Sequence, residues 1–256
     1  MHIPDGFLNN GAAGSLMGAA VAAVAFATRK VRSTFLEKVP VLRTQLATFP
    51  GFGRESTLGF RRQLSEGGRE KMWRMASLGA LVFSTQMINF PIGGGTSGHV
   101  LGGVLVALVA GPFEALLVMT AVLSIQAFVF GDGGVLALGA NIFNMGIIGA
   151  LGGHAFFRFL AKGRNLKRYF LRNAFVAAWV SVIVASIAAS IEIAISGTKS
   201  LNAVLPAMTL VHIAIGFIEG IVTVCILSAL LRQGFSLDAL TEKKSFQEYE
   251  NENSKE

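Results

Sequence analysis

The first two residues, Met1 and His2, carry most of what a planar metal site needs. With a free chain terminus, the Met1 amine, the His2 amide nitrogen and the His2 imidazole Nδ1 can close fused five- and six-membered rings around one ion. Three in-plane nitrogens favour nickel(II) or copper(II), and the fourth place falls to a distant histidine. His99 is the best placed of the others, because it ends the run Pro91-Ile92-Gly93-Gly94-Gly95-Thr96-Ser97-Gly98 and leads an apolar stretch to Ala110. Thr96 or Ser97 is expected to cap a helix that His99 opens, where the helix dipole favours a neutral, ligand-competent imidazole. A four-nitrogen site from Met1, His2 and His99 would follow. The plain alternative is an exposed terminal His2 and a capped helix histidine, and pattern alone does not decide between them.

The remaining polar residues in apolar surroundings bear on the same question. His154, four residues before Arg158, reads as an interfacial residue. His212 and Glu219 share a face of the last apolar run, as a hydrogen-bonding support for the metal histidines or as a network of their own. Asn141 and Asn144 share a helix face and need partners inside a bundle. Glu192, near the end of its run, is expected to snorkel. Cys225 is the one cysteine, which leaves no disulfide framework or thiolate cluster within the chain. No P-loop, dinucleotide fingerprint, H-E-x-x-H or G-x-S-x-G element occurs, so ATP hydrolysis, zincin proteolysis and serine-hydrolase chemistry find no support, and active transport would have to be energised elsewhere.

The elements that position these residues are membrane helices. The chain has 256 residues, 52% apolar and 14% charged, a polytopic all-α composition. Hydrophobic runs predict seven transmembrane spans: Gly11 to Ala27, Met75 to Phe90, His99 to Ala110, Phe113 to Phe130, Gly134 to Leu160, Ala174 to Ile195 and Leu205 to Leu231. The net charge of +7 is uneven rather than a nucleic-acid signature: of 22 Lys and Arg, all but Lys199 fall in the connectors 29–74 and 158–172 or after Leu231. The positive-inside rule then puts the N-terminus outside and the C-terminus in the cytoplasm. Met1 to Asn10 has no secretory pattern, and the bulky His2 disfavours removal of Met1.

Residues 1–232 therefore read as one transmembrane domain, with 233–256 a disordered cytoplasmic tail. The 29–74 connector is expected to form one or two short helices on the cytoplasmic lipid surface. Gly14, Gly18 and Ala22 make the first span suitable for close helix contact, within the bundle or with another subunit. His99 to Ala110 is too short to span the bilayer, so non-helical backbone must share its depth, shielded by protein.

Several segments resemble the CbiM/NikM family, the substrate-binding membrane subunits of energy-coupling-factor cobalt and nickel importers. They are Met1-His2-Ile3-Pro4-Asp5-Gly6-Phe7-Leu8, Asn89 to His99 with Leu101-Gly102-Gly103, Phe130 to Gly134, Gly139 to Gly146, and His212 to Gly220. The resemblance implies a seven-span subunit in a prokaryotic cytoplasmic membrane, its N-terminus inserted into the bundle. It implies Ni2+ or Co2+ as transported ligand, held by the Met1 amine, the His2 amide and imidazole nitrogens and His99. Asp5, Thr96, Ser97, Asn141 and His212 are expected around that site. It also implies a transmembrane coupling subunit, two cytoplasmic ATP-binding-cassette ATPases and, in some systems, a small accessory membrane subunit, so this chain itself is no enzyme. The 29–74 connector is longer than the family suggests. The contrasting function is a metal-independent channel or scaffold.

Overall fold

A computed structural model describes residues 2–44, 56–92, 96–162 and 165–235. Met1, Gly93 to Gly95 and the tail 236–256 lie outside the described residues, so the expectations for the Met1 amine and for a disordered tail do too. The chain is mostly helical, and each of the seven apolar runs falls mainly, though not wholly, on helix. In order these are α1 (Asn10–Phe35), α2 (Glu66–Gln86), α3 (Gly103–Ala110), α4 (Pro112–Ile125), α5 (Leu138–Asn141), α6 (Gly153–Ala161), α7 (Leu166–Ile195) and α8 (Leu201–Arg232). Helix α4 continues as π-helix over Gln126–Phe130, and a π-helical stretch, Ile142–Gly152, joins α5 to α6.

Among the described residues four helical segments are long and apolar enough to cross a membrane: Asn10–Phe35, Pro112–Phe130, Arg168–Ile195 and Leu201–Arg232. Large apolar side chains such as Phe26, Trp73, Phe128, Phe159, Leu210 and Phe217 face outward from them and their neighbours. This is the surface of an integral membrane protein, for which lipid replaces the polar exterior of a soluble fold.

At the centre lies α3, in which all eight residues are buried. A helix apolar on every side belongs in a core. It is only about 12 Å long at 1.5 Å per residue, shorter than expected, because it begins at Gly103 rather than at His99. The preceding turn is a β-hairpin, β3 (Phe90–Ile92) with β4 (Thr96–Gly98), paired Phe90 with Gly98. Thr96 and Ser97 are strand residues here, four or more positions from the helix, and their side chains lie outside the described residues. The helix start is instead Gly102, at φ +76° with no side-chain cap of its own. Three glycines with positive φ (Gly102, Gly111 and Gly131) mark the three sharp breaks around α3 and α4.

The 29–74 connector differs from the expected surface helices. Helix α1 runs on to Phe35, α2 already begins at Glu66, and between them Leu36–Thr44 and Ser56–Leu64 pair as an antiparallel hairpin, β1 with β2. Pro40 removes a helical donor and is tolerated in a two-stranded ribbon with open edges. Val39, Pro40 and Val41 also lack helical spacing.

Helix pairing rests on small residues. A Cβ at Gly139 would fall 2.3 Å from Met17 Cα, and one at Gly216 2.8 Å from the Trp179 carbonyl oxygen, so α1 meets α5 and α7 meets α8 through glycine. By contrast Gly14 and Gly18 have nothing within 4 Å among the described residues. The face of α1 that carries Gly14 and Gly18 is therefore not used for packing among the described residues.

Candidate metal site

The N-terminal segment is drawn back into the bundle and tied there by backbone. The Asn141 side chain pairs with Ile3 in both directions, its Oδ1 accepting the Ile3 amide at 2.8 Å and its Nδ2 donating to the Ile3 carbonyl at 3.1 Å. Gly134 N–H donates to the same carbonyl at 3.0 Å. Asp5 accepts the Val135, Leu136 and Ala137 amides at 3.1, 2.8 and 3.3 Å, satisfying donors where α5 begins. Further along, Thr198 Oγ1 donates to the Phe7 carbonyl at 2.7 Å. Ile3 is fully buried as a result.

These ties bring His2 onto His99. The two rings lie 4.6 Å apart between centroids, tilted by 31°, and are 3% and 1% exposed. His99 Nδ1 is 2.8 Å from the Val100 carbonyl, which only accepts, so Nδ1 carries the proton and Nε2 keeps its lone pair. That nitrogen is buried without a hydrogen-bond partner among the described residues. His2 Nδ1 stands 3.1 Å from Asp132 Oδ1, yet neither ring nitrogen of His2 has an aligned hydrogen bond among those residues. Burial pushes the His2 imidazole below its usual value, against the opposite pull of Asp132, so it is neutral at pH 7. The His2 ring holds the Asp132 carboxyl below the ordinary carboxylate range, and Asp132 is an anion there.

Among the described residues no three His, Cys, Asp or Glu side chains gather closely enough to hold a metal. The described side chains bring two imidazoles together here, so a planar nitrogen site would need its other donors from the backbone or the chain terminus.

Of the surrounding residues expected from sequence, Asp5 and Asn141 are the ties just described. Asn144 is buried and donates to Glu192 Oε2 at 2.7 Å, so Glu192 has an interior partner and does not simply snorkel. His212 is fully buried, its Nδ1 2.7 Å from the Met208 carbonyl, and it interacts electrostatically with His99. It has no bond to Glu219, whose carboxylate instead accepts the Leu101 and Gly102 amides at 2.8 and 2.7 Å. His154 lies at the start of α6.

Three neighbours were not among the expected site residues. Asp132 carried a signal, an acid inside Gly131 to Gly134. Gln126 is fully buried at the α-to-π junction, its amide atoms unpartnered among the described residues, and it interacts with the His2 ring. Gln86 is also fully buried and donates to the Leu101 carbonyl at 2.7 Å. Both glutamines were legible only as lone amides in apolar runs.

Residues 56–237 match the family described as CbiM, the cobalt uptake substrate-specific transmembrane region. A protein of Archaeoglobus fulgidus with the provisional name fused nickel transport protein NikMN is 33% identical over 232 residues, 89% of this chain and 64% of that one. This chain thus spans under two thirds of that relative's length. The cobalt transport protein CbiM of Acetoanaerobium sticklandii is 29% identical over 63% of this chain and 69% of its own. The crystal structure of a truncated transition metal transporter superposes with a TM-score of 0.73 at 28% identity, covering 92% of this chain and all of that one. With the family pattern running through most of its length, this chain belongs to the CbiM family.

Proposed function

We propose that this chain is the substrate-binding membrane subunit of an importer for nickel or cobalt ions. One observation carries the reading: a buried N-terminal segment brings His2 against His99, whose Nε2 lone pair has no hydrogen-bond partner among the described residues. The Met1 amine and His2 amide complete four nitrogens, which suits nickel(II) on geometry and accommodates cobalt(II). Binding displaces the amide proton and any amine proton, and Asp132 adds a negative charge next to His2 that favours an arriving cation.

Seven crossings, with the N-terminus outside and the C-terminus in the cytoplasm, place this pocket toward the external medium across a prokaryotic cytoplasmic membrane. Support comes from the end of the bundle that gathers the N-terminal segment, Asn89 at the entry to β3, the Asp132 turn and the α7–α8 turn. Lys199 is the lone basic residue on that side. Inward release is driven by a transmembrane coupling subunit and two ATP-binding-cassette ATPases, with or without a small accessory membrane subunit.

The test is a titration of purified protein, its N-terminus intact, with Ni(II) and Co(II) in competition. His99→Ala should weaken binding by two orders of magnitude or more, since about 2.7 kcal/mol per hundredfold is a modest value for one nitrogen ligand. Binding that is equal in His99→Ala and the parent would return the chain to the channel or scaffold reading.

A further inference from the structure

The segment that carries His99 is not helix, and its hold comes from two distant helices. On one side Gly98 is pressed against α8: a Cβ there would lie 2.6 Å from Ile215 Cδ1. On the other, Gly102 is pressed against α2, where a Cβ would lie 2.6 Å from Val82 Cγ2. Between these glycines the backbone is gripped by side chains. Glu219 of α8 accepts the Leu101 amide through Oε2 at 2.8 Å and the Gly102 amide through Oε1 at 2.7 Å. Gln86 of α2 donates to the Leu101 carbonyl at 2.7 Å.

Glu219 is 2% exposed and Gln86 fully buried, and no cation pairs with Glu219 among the described residues. Burying a carboxylate in a membrane bundle is costly, and an ordinary helix start would be capped by a Ser or Asp of its own. Here α3 lacks that cap, and the acceptor is supplied from 117 positions further along the chain. A cap from its own sequence would satisfy the same amides without fixing them to another helix. The arrangement therefore does something more than cap: it fixes the two residues that follow His99 and Val100 to α8, while Gln86 fixes the same peptide to α2.

We propose that Glu219, with Gln86 opposite, is a positioning residue for His99. The pair holds the His99 ring against His2 and makes that contact depend on the spacing of α2 and α8, so that a shift between these helices would open the site. The inference rests on the reading of His2 and His99 as metal ligands.

Two measurements on the full chain test it. Diethyl pyrocarbonate modification of the metal-free protein, read by mass spectrometry at each histidine, reports the hold on His99 without any metal. Glu219→Gln and Gln86→Leu should each speed modification of His99 about tenfold, with His154 and His212 at parental rates, as for a local opening. Ni(II) titration should show binding weakened about tenfold to a hundredfold, the usual cost of losing a support behind a ligand. In a His99→Ala background neither substitution should weaken binding further. Unchanged His99 reactivity in both variants, or losses that add to that of His99→Ala, would overturn the proposal. If Glu219→Gln unfolds, all histidines react fast and Gln86→Leu decides by the same criteria. If His99→Ala binds as the parent does, the metal-site reading fails, and the clamp stands or falls on His99 reactivity alone.

Discussion

At the site, each nitrogen has a distinct relation to protons. The His2 imidazole, lowered by burial, is already neutral at pH 7, so proton competition there begins only below its ordinary value of about 6.5. As a proposed ligand, the His2 amide would have to lose its proton at any ordinary pH, and an ordinary terminal amine is partly protonated below about 8. Binding then releases between one and two protons near neutrality, and Ni(II) affinity should fall at least about tenfold for each unit of decreasing pH between 8 and 7. Titrations in a pH series check this; an affinity flat across that interval would show that no amide nitrogen is deprotonated. His2 and His99, the proposed ligands whose rings the fold brings together, could be singled out in the sequence because ligand chemistry belongs to residue types. Gln126 and Gln86 were not, and Glu219 was read only as a possible support without its actual partners, because what these groups touch depends on which helices meet.

Among the elements, the N-terminal segment behaves as a strap held at Ile3 by Asn141 and Gly134 and at Asp5 by the Val135, Leu136 and Ala137 amides, all on one short stretch of chain. Asn141→Leu removes both bonds to Ile3 and leaves the Ile3 amide without its acceptor, a loss of about 2 kcal/mol. Metal affinity should drop by about tenfold to a hundredfold with the helical circular dichroism unchanged. Asp5→Ala should cost about 1 kcal/mol, the value of a lost cap, and weaken binding less. Equal affinities in both variants and the parent would mean the strap does not hold the site. The apolar runs announced the helices well, because burial in lipid demands them. The β1–β2 hairpin and the late start of α3 were missed: Pro40 breaks a helical reading without naming its replacement, and a trans-acting cap such as Glu219 leaves no mark beside Gly102.

For the whole molecule, the distribution of basic residues and the gathering of the site turns at one end make one prediction of orientation. A green fluorescent protein fused after Glu256 should fluoresce in cells, and a cysteine introduced at Lys199 should react with an impermeant maleimide from outside. A dark fusion, or a Lys199→Cys variant labelled only after lysis, would invert the topology and place the His2–His99 pair on the cytoplasmic side. The proposed function turns on whether the chain's own first nitrogen is a ligand. The direct measurement is Ni(II) and Co(II) binding to the protein with its native terminus against the same protein carrying one extra alanine before Met1. A free Met1 amine in the site predicts tight binding by the first and essentially none by the second; equal binding by both would contradict it.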